Sequence, residues 1–436
     1  MRNFRHILFM LVFAALAAGA QEPAPTTLTL SQAVTIALEH NPALLQAAET
    51  AAANRAAADR AKAPQQVQVG ASSRYVHLGE VNSISIGPAG TVSLGEPDTL
   101  TTALTAQKVI YSGGRLENIQ RQAESGARAQ EVSRARVRQA VAFETERAFL
   151  ALLTAQRQTE VARQAQRTAE QQLAVANARF DAGTAAKYDV LHAEVLVEET
   201  RQGVITAQTA VEMAQAALAR ALGVEGGALL AGDEGITEPA APSALDELLS
   251  TAQRQRPELQ ALEWQLRGAE AAVGAARGES KPTVALQAGY QLVTPSSIMT
   301  NSGWSAGASV SLPVLDGGSA KAGVRQAEAQ RDALFAVRDA QRNTVAMEVK
   351  QAYARLTAAA HAVQVARKRL EQAGMLFEIA TVRQEAGVGT AVEIADAQTT
   401  LTRARQGVNQ ALNEWNLAAA ELRLATGQDV QTNQEH

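Results

Sequence analysis

Two periods alternate along this chain. Long stretches repeat apolar residues at helical spacing, and short stretches between them alternate apolar with polar. Leu30, Ala33, Val34, Ala37 and Leu38 recur at helical spacing, with Ser31 as the expected N-cap. Asn41-Pro42 breaks or restarts that helix, which runs on through an Ala-rich segment to about Ala63, where Pro64 stops it. No proline occurs between Pro97 and Pro239, nor after Pro313. In the first of these spaces, Leu116 to Arg179 reads as one helix of roughly 95 Å at 1.5 Å per residue. Its apolar positions are interleaved with Gln, Arg and Glu, as coiled-coil packing requires. Phe180-Asp-Ala-Gly-Thr184 interrupts the pattern, and a second helix returns through Leu191, Val195 and Ile205 to Leu222. The same hairpin pattern recurs from Lys321 to Thr381 and from Thr390 to Thr426.

The alternating stretches predict strands. Val67, Val69, Ala71, Ser73 and Tyr75 share one face against Gln66, Gln68, Gly70, Ser72 and Arg74. Leu100, Thr102, Leu104 and Ala106 alternate with Thr101, Ala103, Thr105 and Gln107. Later, Val284, Leu286, Ala288, Tyr290 and Leu292 oppose Ala285, Gln287, Gly289 and Gln291. Trp304, Ala306, Ala308, Val310 and Leu312 oppose Ser305, Gly307, Ser309 and Ser311. An apolar outer face over a small polar inner one suits a transmembrane barrel enclosing water, and each strand is long enough to cross a bilayer when tilted. A half-buried antiparallel sheet in a soluble domain fits the alternation equally well. Four strands cannot close such a pore, so the membrane reading demands an oligomer. Gly79–Pro97 and Val293–Gly303 would then be external loops.

These patterns occur twice. Gly113 and Gly317, Gly183 and Gly387, and Gly223 and Gly427 are each 204 positions apart, with helical pattern between them. Three glycines at one spacing indicate an internal duplication, two similar hairpins side by side. Pro257 answers Pro42 at an offset of 215, so a length change lies in the loops or strands between, where insertions are tolerated. The expected organisation starts with a signal segment at 1–20 and a first repeat at 21–222. That repeat holds two strands within 65–111 and a hairpin over 115–222. A Gly-, Ala- and Pro-rich linker at 223–243 precedes a second repeat at 244–427, with strands within 283–313 and a hairpin over 319–426. A tail at 428–436 follows.

Composition sharpens this picture. The chain has 436 residues, but aromatics are only 4% and the 46% apolar fraction is inflated by alanine. Ala has high helix propensity and little bulk, so long, closely packed helices fit better than thick globular cores. Arg2 and Arg5, the apolar run Ile7–Ala17 and the small residues Ala18-Gly-Ala20 make a secretory signal too short to span a bilayer comfortably. Losing the two arginines moves the formal charge from −4 to −6, which argues against a nucleic-acid partner. There is no cysteine, which excludes disulfides, thiol catalysis, Cys-based metal sites and a lipid anchor on an N-terminal Cys. His40, His77, His192 and His361 are scattered without metal-ligand spacing. No Ser/His/Asp set, phosphate loop or nucleotide motif occurs, so neither enzymatic chemistry nor a cofactor is expected.

The ordered set of motifs resembles the TolC family of outer-membrane efflux proteins over nearly the whole mature chain. It comprises Leu28-Thr-Leu-Ser-Gln-Ala33 with Asn41-Pro42, and the strand-to-helix turns Tyr111-Ser-Gly-Gly114 and Leu315-Asp-Gly-Gly318. The first hairpin tip adds Ala178-Arg-Phe-Asp-Ala-Gly-Thr184 with Tyr188-Asp-Val-Leu191. The second adds Glu385-Ala-Gly-Val-Gly-Thr390 with Val392-Glu-Ile-Ala-Asp396. The resemblance implies a mainly α fold with transmembrane β: a homotrimer whose protomers each give four strands to one shared twelve-stranded outer-membrane β-barrel. The hairpins would form a hollow α-helical barrel through the periplasm, and the linker an equatorial belt. It further implies a passive exit duct of a tripartite efflux system, served by a periplasmic adaptor (membrane fusion) protein and an inner-membrane transporter. The exit channel of a type I protein-secretion system shares that architecture. A periplasmic coiled-coil adaptor or scaffold is the reading from another class, but it would have one hairpin and no duplicated strand pairs.

Particular residues inherit expectations from this match. Gly183, Thr184, Gly387 and Val388 fall on the tips where the adaptor docks, although as turn residues the glycines need no further role. Glu393 and Asp396, three apart on one helix face, match the acidic constriction of the periplasmic entrance; a solvated acidic face is the plainer reading. In a trimer they would stack as carboxylate rings that favour cations. Asp189 matches a tip aspartate that helps hold relatives closed, but Gly389 stands where a basic partner is expected, leaving Lys187 or Arg383 as substitutes. Gly113, Gly114, Gly317 and Gly318 are expected to allow the sharp strand-to-helix turn. Tyr290 and Trp304 read either as membrane-interface anchors or as buried aromatics.

Overall fold

The computed structural model describes residues 26–81, 83–93, 96–225, 229–232, 243–295 and 302–428. The signal segment 1–20, most of the 223–243 linker and all but the first residue of the 428–436 tail lie outside them. In chain order the elements begin β1 (Thr26–Leu28), α1 (Leu30–His40), α2 (Pro42–Lys62), β2 (Gln68–His77), β3 (Ser83–Ser85), β4 (Thr91–Ser93) and β5 (Asp98–Tyr111). The first hairpin is α3 (Arg115–Asp181) and α4 (Lys187–Leu222), followed by β6 (Leu229–Ala231), α5 (Leu245–Gln255) and α6 (Pro257–Gly278). Then come β7 (Thr283–Thr294), β8 (Gly303–Ser311) and the second hairpin, α7 (Ser319–Glu385) and α8 (Ala391–Thr426). The duplication is visible in the lengths, since each hairpin pairs a 67-residue helix with a 36-residue one.

Local chemistry sets the boundaries. Thr29, rather than Ser31, caps α1: its hydroxyl accepts the Gln32 N–H at 3.2 Å, and the Gln32 side chain accepts the Thr29 N–H at 3.0 Å. A reciprocal box needs its glutamine three residues after the cap, and only Thr29 has one there. Ser31 therefore sits inside the first turn. Asn41 separates α1 from α2, accepting the Ala43 N–H at 2.9 Å and donating to the Ala221 carbonyl at 2.8 Å.

The chain sorts into two compact units. One comprises Met1–Leu45, Val137–Ala252 and Ala346–His436. Its core sets Phe149, Leu152, Leu218 and Leu222 against Ala33, Ala37 and Leu28. The linker contributes β6, which pairs in parallel with β1 as Thr26↔Leu229 through Leu28↔Ala231. α4 and α8 end alike on left-handed Gly223 and Gly427, and the Gln139 side chain holds the Gly427 carbonyl at 2.9 Å. Buried Glu146 accepts from Arg423 through Oε1 at 2.5 Å, while its Oε2 has no hydrogen-bond partner among the described residues.

The other unit comprises Gln46–Arg136 and Gln253–Val345. Its sheet has the antiparallel order β2-β5-β7-β8, so the central β5–β7 pair joins the two repeats. Register decides what each face carries. Tyr75 lies opposite Leu100, Leu104 opposite Tyr290, and Tyr290 opposite Trp304, a row on one face. Gly70 opposite Thr105, Thr105 opposite Gly289 and Gly289 opposite Ser305 make a small polar row on the other. Since opposed residues share a face, the strands align into one continuous apolar surface. Within the protomer Tyr290 is 53% and Trp304 80% exposed, so neither is buried by its own chain. No described helix is long and apolar enough to cross a membrane.

Candidate functional site

The turns at the ends of the hairpins are built from the same bonds. Gly183 and Gly387 take φ of 73° and 74°, a left-handed conformation that costs glycine little and ends a helix in a Schellman-type turn. Thr184 N–H donates to the Arg179 carbonyl at 2.8 Å, as Val388 N–H does to the Arg383 carbonyl at 3.0 Å. The tips then diverge. The Thr184 hydroxyl also bonds the Arg179 carbonyl at 3.0 Å, whereas Val388 presents an exposed apolar side chain. Gly389 N–H returns to the Arg383 carbonyl at 2.9 Å, curling the second tip more tightly.

Asp189 and Glu393 fall in the first turns of the returning helices, and Asp396 one turn further on. Asp189 is half-buried and accepts the Ala186 N–H at 3.1 Å, so one carboxylate oxygen caps its own helix. Thr390 caps α8, its hydroxyl accepting the Glu393 N–H at 3.2 Å. Glu393 and Asp396 are both exposed, one helical turn apart. Arg383 approaches Glu393 at 3.5 Å. Of the two basic substitutes expected from sequence, Arg383 is thus engaged within its own tip. Behind the turns, Ala176, Val190 and Ala193 pack the first hairpin and Ala380, Ile394 and Ala397 the second. Ala169, Leu196, Val197 and Ala395 join the hairpins through apolar contact.

Sequence reasoning missed one polar link. Arg179 reaches across 205 positions to donate from Nη2 to the Gln384 carbonyl at 2.9 Å. No motif marks a bond to a main-chain acceptor so distant in sequence. Phe180, Tyr188, Leu191 and Val392 add exposed apolar area near the tips.

The strand-to-helix turns repeat with equal fidelity. Gly113 and Gly114 take φ of 65° and 84°, and Gly317 and Gly318 take 65° and 86°. Ser112 Oγ accepts the Leu116 N–H at 3.1 Å. Asp316, its counterpart, accepts the N–H groups of Gly318 at 2.9 Å and Ala320 at 2.8 Å. These main-chain donors, Ala320 first, hold the Asp316 carboxyl below its ordinary range.

A duplicated hairpin and a four-stranded sheet with one apolar face accompany a family match over most of the chain. The model of the outer membrane efflux protein family matches residues 33–224 and 248–428. The chain belongs to the outer membrane efflux protein family. Protein CyaE of Bordetella pertussis is 29% identical over 394 residues, 87% of this chain and 80% of that protein. Outer membrane protein OprJ of Pseudomonas aeruginosa is 28% identical over 280 residues, 62% of this chain and 57% of that one. Among solved structures, the transmembrane channel CusC overlays 95% of this chain and 99% of its own, with a TM-score of 0.79 at 19% identity, a likeness of fold. This outer membrane efflux protein is mainly helical with a membrane sheet, and it resides in the outer membrane.

Proposed function

We propose that this outer membrane efflux protein is the passive exit duct of a tripartite efflux system. The observation that carries the reading is the sheet, with its continuous apolar face, small polar face and two edge strands. Among the described residues, β2 and β8 have no strand on their outer sides. Unpaired edges leave main-chain groups without partners in a bilayer, so further strands must close the sheet. Three copies supply twelve strands, enough for a barrel around water, and outer-membrane lipid covers the apolar face. The hairpins of the homotrimer form a periplasmic α-helical barrel.

The tips are the entrance. Glu393 and Asp396 from three protomers make acidic rings that favour cations, with Asp189 beside them at the first tip. Gly183, Thr184, Gly387 and Val388 form the docking turns for a periplasmic adaptor, which couples the duct to an inner-membrane transporter. Exposed Phe180, Tyr188 and Val388 supply apolar area for such a contact. The duct performs no chemistry and its energy comes from the transporter. Planar-bilayer conductance of the purified protein tests the reading. A small cation-selective conductance from a heat-modifiable trimer is expected, and a soluble periplasmic monomer overturns it.

A further inference from the structure

We infer that Arg179 is the positioning residue that ties the two entrance tips of a protomer together; the inference rests on the reading of the tips as an entrance. Its guanidinium donates to the Gln384 carbonyl at 2.9 Å, and both residues are half-buried. Both ends of the tie are pinned. The Arg179 carbonyl holds Thr184 through its N–H and hydroxyl at 2.8 and 3.0 Å, while the Gln384 carbonyl also accepts the Gly387 N–H at 3.0 Å. Gln384 lies in the last turn of α7, where outward carbonyls and the helix dipole favour a cation.

The second tip cannot supply the latch from position 389. A Cβ on Gly389 would lie 2.8 Å from the Gln384 nitrogen and 2.9 Å from the Arg383 carbonyl carbon. These are main-chain atoms of the same turn, so any side chain there would have to unwind it. Arg383 is turned toward Glu393 and the Val388 carbonyl, each at 3.5 Å. Among the described residues, Arg179 to Gln384 is the one hydrogen bond or ion pair between 178–190 and 382–396.

The chemistry of this tie differs from that of a carboxylate latch. The donor is a guanidinium and the acceptor a main-chain carbonyl, so no carboxylate takes part in the bond. Neutralising Glu393 or Asp396 by substitution therefore alters the acidic rings and leaves the tie in place. The acceptor also persists when the Gln384 side chain is removed.

The native chain has no cysteine, so a spin label on Ala386→Cys, at the second tip, reports motion without background. In the intact trimer, Arg179→Ala is expected to increase label mobility and to raise single-channel conductance severalfold, with the heat stability of the trimer unchanged. Arg179→Lys should restore part of the restraint, and Gln384→Ala should match the parent. Parent-like mobility in Arg179→Ala would overturn the tie, as would loosening by Gln384→Ala equal to that by Arg179→Ala. Glu393→Gln with Asp396→Asn separates the two readings. If that variant keeps parent selectivity while Arg179→Ala still frees the label, the acidic gate falls and the tie stands.

Discussion

The Arg383 guanidinium stands 3.5 Å from the Glu393 carboxylate across the second tip, with the two side chains 51% and 46% exposed. An exposed pair of this kind contributes about 0–1 kcal/mol, so it shapes the field at the proposed entrance more than the stability of the turn. Replacing Glu393 and Asp396 by Gln and Asn is expected to weaken cation preference and block by multivalent cations. Replacing Arg383 by Gln should strengthen both, because Glu393 then carries its charge uncompensated. Reversal potentials across a salt gradient measure the two effects with opposite signs.

Leu104 and Thr105 are neighbours in sequence on opposite faces of β5, opposed to Tyr290 and Gly289. Leu104→Arg places a charge on the lipid side, costing roughly 2–4 kcal/mol near the bilayer midplane. Thr105→Arg places it on the polar side. Folding into lipid vesicles should fail or weaken for the first, while the second inserts and changes conductance.

Asp316 should make the start of α7 acid-sensitive. Its folded-state pKa is depressed by the Ala320 and Gly318 N–H groups, so its contribution is present above the ordinary carboxylate value. That contribution is lost as pH falls through the lower folded value. Ser112 holds the equivalent place before α3 with a hydroxyl that accepts the Leu116 N–H directly and touches a carboxylate, that of Glu117 at 3.2 Å, only as donor. Hydrogen-exchange protection at Ala320 is expected to fall on acidification while that at Leu116 holds. Asp316→Asn should abolish the difference in pH response.

Gly387 and Gly389 should respond differently to alanine. Gly387 has φ of 74° with open space around it, so alanine meets only left-handed strain of about 1–2 kcal/mol. At Gly389 the added carbon collides with the main chain of Arg383 and Gln384. Limited proteolysis at the second tip should be slightly faster for Gly387→Ala and much faster for Gly389→Ala.

Much of this architecture was legible in one dimension because its causes are local or periodic. The Pro-free stretches read as long helices, and the 204-residue spacing read as a duplication, because helix pitch and left-handed glycines depend on near neighbours. The cap of α1 lies two residues before Ser31, since Ser31 and Thr29 both suit a cap and only the reciprocal bond with Gln32 separates them. Tyr290 and Trp304 could be assigned to one face of their strands, but not to exposure.

The sequence by itself determined the helices, the alternating strands, the paired turns and the acidic residues beyond the second one. Each rests on backbone propensity and side-chain period, which act over a few residues. Tertiary structure alone decided that β5 pairs with β7 in the register that lines up the apolar faces of both repeats. It alone brought Arg179 to the carbonyl of Gln384 and turned Arg383 toward Glu393. A main-chain acceptor carries no mark of its identity, and strand partners are chosen by surfaces that exist only once the chain has folded.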